Sequence, residues 1–329
     1  MKRFLLTSCV FASVQIPLAM LVFLKWPETP KPYLAAIVDK HELANSIPNN
    51  RMLLVGGSNL AFGIDSLALH KEFGYHPVNL GLCAGLGLEF LLNECRDLMR
   101  RGDVVILSLE YPHFWSRQGG AVHIVPVLDH FPRAKMYIQD PRTWKRIEKF
   151  RNEAVVDPAP AADEGFLWLH KRIRRSLQSY AQEPPDWIYD RNGFNKYGDL
   201  TTHHGRKGRL DVEAACRRRY VLREGYPRLA FDQIAEFVDE CQSQEVRVYL
   251  AHPPIPRTYW EHRKSDIRKI KSGIANELSV PIITNCEETI FEDHLFFDQV
   301  YHLTQEGKQM RTRQIIRKLK PLLKPLLKT

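Results

Sequence analysis

The sequence predicts a doubly wound, parallel α/β sheet, and three observations carry that prediction. Short apolar runs recur at Met52–Val55, Pro77–Leu82, Val104–Leu109, Val246–Ala251 and Pro281–Thr284. Segments of helical spacing lie between most of them. The chain is 329 residues long and 44% hydrophobic, which is ample material for a sizeable core. Strands of a parallel sheet are buried on both faces and so read as continuous apolar runs. Right-handed crossovers then place the intervening helices on both faces.

The elements follow in chain order. Phe4–Leu24 is a run of 21 residues without a charge, preceded by Lys2 and Arg3. A run of about 20 apolar residues spans the hydrocarbon core, and the basic flank predicts a cytoplasmic start with the rest of the chain outside. The reading is a single-pass anchor over residues 1–26. A cleaved signal peptide competes, but its apolar region would run only about 7–15 residues before a small-residue site. Residues 27–50, with Pro27, Pro30, Pro32 and Pro48, read as a linker.

Met52–Val55 then ends in Gly56-Gly57, as a buried strand entering a tight turn. Ser66 precedes a short helix, and Leu88, Leu91, Leu92, Cys95, Leu98 and Met99 recur at helical spacing with Gly102 as a carboxy-terminal cap. The rhythm breaks over 112–228, a Pro-, Arg- and aromatic-rich insertion with helical patches such as Trp168–Tyr180, long enough for a lid or cap. It resumes with helices at Phe231–Cys241 and near Ile267–Leu278, and a last amphipathic helix from Gln305. One domain therefore covers 51–318, with a basic tail over 319–329.

Net charge is +9, yet Lys308, Arg311, Arg313, Arg317, Lys318, Lys320, Lys324 and Lys328 supply eight positive charges with no acidic residue among 308–329. The rest of the chain sums to about +1, so no body-wide basic field of the nucleic-acid-binding kind exists. The tail alternates leucine pairs with lysines, as either a membrane-surface segment or a solvated terminus. Of six cysteines, Cys9 lies in the anchor and Cys83, Cys95, Cys216, Cys241 and Cys286 show neither disulfide-framework nor zinc spacing. Cys95 and Cys241 sit on apolar helix faces as small hydrophobes.

In such a sheet ligands bind beyond the carboxy ends of the strands, and two clusters fall there. Gly56-Gly57-Ser58-Asn59 presents a serine hydroxyl at the first turn, though Leu60 breaks the G-x-S-x-G elbow. Asp298 and His302, four apart after the last strand, can hydrogen-bond, so that the carboxylate fixes the imidazole tautomer and the other ring nitrogen takes a proton. His252, just after the fourth strand, reads as either a pocket wall or part of a plain turn. Asp190–Asp199, with His203 and His204, is either a sugar-binding surface or a solvated loop; the His pair alone is no metal site.

These residues resemble the SGNH (GDSL-like) hydrolase superfamily, closest to its membrane-anchored branch with the teichoic-acid D-alanyl transfer and polysaccharide O-acetylation proteins. The resemblance covers 50–115 and 229–318. Val55-Gly56-Gly57-Ser58-Asn59 is similar to the first block. Asp298…His302-Leu303…Gly307 is similar to the last, D-x-x-H-L-N-x-x-G, with one extra residue of spacing and Thr304 in place of Asn. The resemblance implies a flavodoxin-like sheet in 2-1-3-4-5 order, Ser58 as nucleophile, Asp298 as orienting acid and His302 as base. It implies an oxyanion N–H from Gly81 or Gly85. The third block usually offers an Asn donor, but here reads Ser108-Leu109-Glu110-Tyr111; Tyr111, Asn59 or a donor from the 112–228 block would have to replace it, since an ionised Glu110 cannot donate.

The function implied is an outward-facing, membrane-anchored acyl esterase or O-acyltransferase. It would act on a cell-surface glycan or acyl ester through a serine acyl-enzyme, with no metal or organic cofactor and no nucleic acid. A membrane-bound acyltransferase would be its partner. The alternative is a non-catalytic, glycan-binding or scaffold partner of such an acyltransferase, which the missing Asn favours.

Overall fold

The computed structural model describes residues 31–115, 119–155, 187–217 and 226–326, together with Ser13. The chain divides into two compact units, residues 32–158 with 188–329 and residues 1–31 with 159–187. The architecture below is that of the first. Apart from Ser13, the apolar stretch Phe4–Leu24 lies outside the described residues, as does Trp168–Tyr180. Among the described residues no helix is long and apolar enough to cross a membrane.

The strands are β1 (Arg51–Gly56), β2 (His76–Asn79), β3 (Val104–Ser108), β4 (Arg247–Ala251), β5 (Ile255–Pro256), β6 (Ile282–Thr284) and β7 (Ile290–Phe291). Five form one sheet in the order β2-β1-β3-β4-β6, every neighbour parallel. The expected 2-1-3-4-5 arrangement is thus present. Strands β5 and β7 pair separately beside it, two-residue segments too short to show a sequence period.

Alternate residues of each strand feed opposite cores. Leu53, Val55, Val105 and Leu107 pack with Leu91, Cys95, Ile234, Cys241 and Ile270, which lie on helices Leu88–Leu98, Tyr226–Ser243 and Arg257–Glu277. Met52, Leu54, Val104 and Ile106 pack with Leu60, Leu69, Phe73, Ile315 and Leu319, from helices Ser58–Gly63, Ser66–Phe73 and Gln305–Leu319. Helices on both faces make the sheet doubly wound.

Three expectations need correction. Residues 36–46 are a helix, not linker, and bury Ala36, Ile37, Lys40, His41 and Ala44 on one face. Its residues are held by His41 Nε2 to Glu94 Oε1 at 3.0 Å and Lys40 Nζ to the Asn79 and Gly198 carbonyls at 2.7 Å each. Gly102 does not cap the Leu88–Leu98 helix; Met99 does, and Gly102 turns with φ +85° before β3. The short helix begins at Ser66 and is capped by Asp65, which accepts from the Ala68 N–H at 3.1 Å. The carboxy-terminal tail packs back as far as Leu326: Leu323 is buried, Leu326 N–H donates to the Phe73 carbonyl at 2.8 Å, and Lys320 pairs with Glu72 at 2.7 Å. Leu319 and Leu323 therefore serve the core, while Leu322 is exposed.

Within the insertion, helices Ala121–His130 and Pro141–Val155 share a cluster with Leu86, Phe90, Ala36 and Ile37. Ile188 and Leu200 pack on Phe62 and Phe297.

Candidate active site

Strand β1 ends where Gly56 pairs with Ser108 of β3. A Cβ at Gly56 would lie 2.1 Å from the Ser108 carbonyl oxygen, so only glycine permits that approach. Ser58, half-buried, opens the helix that follows. Asn59 is fully buried and ties the turn down: its Nδ2 donates to the Ser108 carbonyl at 2.9 Å and its Oδ1 accepts from Ser108 Oγ at 3.1 Å. Arg311, from the last helix, comes up beneath the same turn. Its Nη1 donates to the Asn59 carbonyl at 2.8 Å, and its Nη2 donates to Asn59 Oδ1 at 3.0 Å and Ser108 Oγ at 2.8 Å. Burial pulls the Arg311 guanidinium down to about 9, while the charge of Glu110 works the other way.

The second half of the site is a tight turn after the last strands. Phe297 N–H donates to the His302 carbonyl at 2.7 Å and His302 N–H to the Gln299 carbonyl at 3.0 Å. The turn brings His302 Nδ1 to 2.8 Å from Asp298 Oδ1. The His302 ring stacks on Phe62, centroids 3.9 Å apart and planes within 3°. Tyr189 Oη donates to Asp298 Oδ2 at 2.8 Å and accepts from Gln299 Nε2 at 3.2 Å. Arg209 lies 3.7 Å from Asp298 Oδ2. Burial works to raise the Asp298 carboxyl, but the bonds from His302 and Tyr189 and the Arg209 charge hold it below the ordinary carboxylate range. An ionised carboxylate bonded to Nδ1 leaves Nε2 as the proton acceptor.

Both halves open onto one cavity of about 980 Å³, lined by Ser58, Glu110, Tyr189, Asp298 and His302 among others. A volume of that order holds a sugar-sized substrate with an acyl group. The hydroxyl of Ser58 is engaged by Glu110 Oε1 at 3.4 Å rather than by His302.

The expected oxyanion donors fare unevenly. Gly85 lines the cavity. Gly81 does not: its N–H is taken by Asn79 Oδ1 at 3.0 Å, and a Cβ there would strike the Leu60 side chain. The Asn59 N–H donates to Glu110 Oε1 at 3.0 Å. Tyr111 and His252 are buried in the protein core, where Tyr111 Oη meets His252 Nδ1 at 3.1 Å, and neither lines the cavity. Burial pulls His252 down to about 4.

Within the Asp190–Asp199 stretch, Asn195 and Asp199 are bound up in the turn itself, while Asn192 and Lys196 are exposed. Asn195 Oδ1 accepts the Tyr197 and Asp199 N–H groups at 2.9 and 3.0 Å. Buried Asp199 accepts from Ser66 Oγ at 2.6 Å and Asn79 Nδ2 at 2.8 Å. His203 is packed against Phe62 and Phe297 at ring distances of 4.8 and 5.7 Å.

Residues the sequence did not nominate include Tyr189, Phe62 and Arg311. In the sequence Arg311 is one of eight basic residues over 308–329, and only the last helix running under the Ser58 turn distinguishes it from Arg313. In comparisons with known proteins, no family model matches the chain and no curated protein matches it.

Proposed function

We propose that this protein is a serine-dependent acyl esterase or O-acyltransferase of the SGNH type. The observation that carries the reading is the Asp298–His302 pair at 2.8 Å opening onto the same cavity as Ser58. Ser58 Oγ attacks the acyl carbonyl as its proton passes to His302 Nε2, and Asp298 stabilises the imidazolium. Collapse of the tetrahedral species expels the leaving alkoxide with the proton from His302. An acceptor hydroxyl or water then gives its proton to His302 and attacks the acyl-Ser58 ester. Tyr33 and Tyr189, edge to face with centroids 5.4 Å apart on the cavity wall, suit a hydroxylated, neutral substrate such as a glycan. The apolar stretch Phe4–Leu24 behind Lys2 and Arg3 supports a membrane tether with the active domain outside the cytoplasm, served by a membrane-embedded acyltransferase.

A second reading, a non-catalytic glycan-binding partner, is favoured by one feature: Glu110 engages both Ser58 and the Asn59 N–H. Treatment of the full-length protein with a fluorophosphonate probe, followed by peptide mass spectrometry, separates the two. The enzyme reading expects a Ser58 adduct that is lost in Ser58→Ala and slowed in His302→Ala. An unlabelled Ser58, with the protein folded, leaves the binding reading standing.

A further inference from the structure

Glu110 follows β3 and is only 4% exposed, yet it lines the cavity floor. One of its oxygens, Oε1, accepts from the Asn59 N–H at 3.0 Å, from Asn59 Nδ2 at 3.4 Å and from Ser58 Oγ at 3.4 Å. The preceding turn is shaped to admit it, since a Cβ at Gly57 would stand 2.5 Å from that same oxygen. In a tetrahedral adduct of Ser58, the oxyanion is bonded to the carbon that Oγ attacks and needs a donor at about 2.7–3.1 Å. The Asn59 N–H is the backbone donor adjoining Ser58, and a carboxylate oxygen already holds it. A second anionic oxygen cannot share that position without severe repulsion.

We propose that Glu110 is a latch on the nucleophile: its carboxylate stands in the oxyanion position, holds the Ser58 hydroxyl to itself, and must swing off the Asn59 N–H before acyl chemistry begins. This rests on the serine acyl-transfer reading above. The groups around the latch explain why it rests closed. Arg311, buried behind the turn, puts a positive charge within electrostatic reach. His113 is held towards its neutral form by burial and offers little competing charge. The Glu110 carbonyl accepts the His113 N–H at 2.9 Å, which fixes the backbone, so opening is a side-chain rotation into the adjoining cavity. An incoming acyl group that occupies the cavity supplies the reason to rotate, because its carbonyl oxygen takes over the vacated N–H.

The test measures fluorophosphonate labelling rates on the full-length protein. Ser58 Oγ forms a bond to phosphorus, fluoride leaves with the P–F electron pair, and the serine proton goes to His302, while the phosphoryl oxygen needs the oxyanion position. Glu110→Gln removes the charge and keeps the shape; Glu110→Asp keeps the charge and withdraws it by one methylene. Both should label Ser58 at least about 10-fold faster than the wild type, where one oxyanion donor is worth about 10²–10³. In a structure of the wild-type adduct, the phosphoryl oxygen should sit on the Asn59 N–H with the Glu110 carboxylate turned away. Equal or slower labelling by folded variants overturns the latch and leaves the serine site intact. So does an adduct that retains the Glu110–Asn59 bond, whether or not the variants fold. Absence of a Ser58 adduct in every form overturns the serine reading and the latch with it.

Discussion

The Ser58 turn and the Asp298–His302 turn open onto the same cavity, yet they are held by contacts of opposite range. Within the histidine turn, partners are four residues apart and the backbone closes on itself between Phe297 and His302. The serine turn is held from far along the chain: Ser108 and Glu110 are about fifty residues away and Arg311 lies 252 residues from Asn59. The histidine side is arranged for its chemistry, with Nδ1 fixed by a carboxylate and the ring stacked flat on Phe62. On the serine side the hydroxyl and the adjoining N–H are both engaged by Glu110. The difference teaches that an acid–base pair can be set by a local turn, with Phe62 and Tyr189 as distant supports, while the nucleophile beside it is governed wholly by tertiary contacts.

The largest expected effect breaks the histidine side. Asp298→Asn should slow Ser58 labelling by about 10³–10⁴-fold, because an amide in place of the carboxylate favours the wrong imidazole tautomer. The loss should come without unfolding, which thermal melts by circular dichroism would check. A mild loss would mean that Tyr189, whose hydroxyl lies 3.3 Å from His302 Nδ1, can hold the ring alone. Next comes the serine side. Arg311→Met leaves the Asn59 carbonyl and side-chain oxygen without their buried donor and should cost about 1–3 kcal/mol in urea unfolding. Lys318→Met, which removes a partly exposed pair with Glu288, should cost less than about 1 kcal/mol. Comparable costs for the two would show that Arg311 is not the support described here.

The same contrast in range explains what the sequence disclosed. Continuous apolar runs located all five sheet strands to within a few residues, and the four-residue spacing of Asp298 and His302 located the acid–base pair. What escaped were residues whose partners are distant. Arg311 and Lys308 looked like tail charges, although both are buried. Tyr111 and His252 each follow a strand of the sheet, where a site was expected, but they face one another in the core. Prolines at 27, 30 and 32 point to a tether, whereas the buried face of Ala36–Ser46 depends on distant partners: its histidine and lysine are satisfied by Glu94, Asn79 and Gly198.

A smaller effect is expected from acid. Burial first, and then the neighbouring Lys308, pulls His203 down to about 3, and burial pulls His252 to about 4, against about 6.5 in an unfolded chain. Between those limits the unfolded state binds more protons than the folded one, so stability falls as pH falls below about 6.5. Each histidine contributes a slope of up to about 1.4 kcal/mol per pH unit, flattening near its folded value. Both His203 ring nitrogens are buried without partners, so His203→Phe should remove its share of the slope at little cost at pH 7. Urea midpoints at pH 7, 6 and 5 would check this. Because His203 packs on Phe62, which carries the His302 ring and lies on the helix that Ser58 opens, acid should loosen the contact that joins the two sides.

The smallest effect concerns Tyr189, which joins the histidine side from the insertion. Burial, followed by the Asp298 charge, pushes its phenol well above the ordinary value, so it remains a donor throughout the working pH range. Tyr189→Phe deletes the hydrogen bond to Asp298 together with the longer contacts to His302 Nδ1 and Gln299, and leaves the Asp298–His302 bond in place. A bond of this kind is worth about 0.5–1.5 kcal/mol, so labelling of Ser58 should slow by about 2–10-fold. Stability should barely move, because Tyr189 is 37% exposed. The direction of the pH effect distinguishes positioning from packing. Without the phenol, Asp298 carries a less neutralised charge against the imidazolium, so the midpoint of the labelling rate against pH should move upward. A rate loss with an unmoved midpoint would reduce Tyr189 to a cavity wall, and a loss as large as that of Asp298→Asn would show that the phenol, rather than the carboxylate, holds His302 in place.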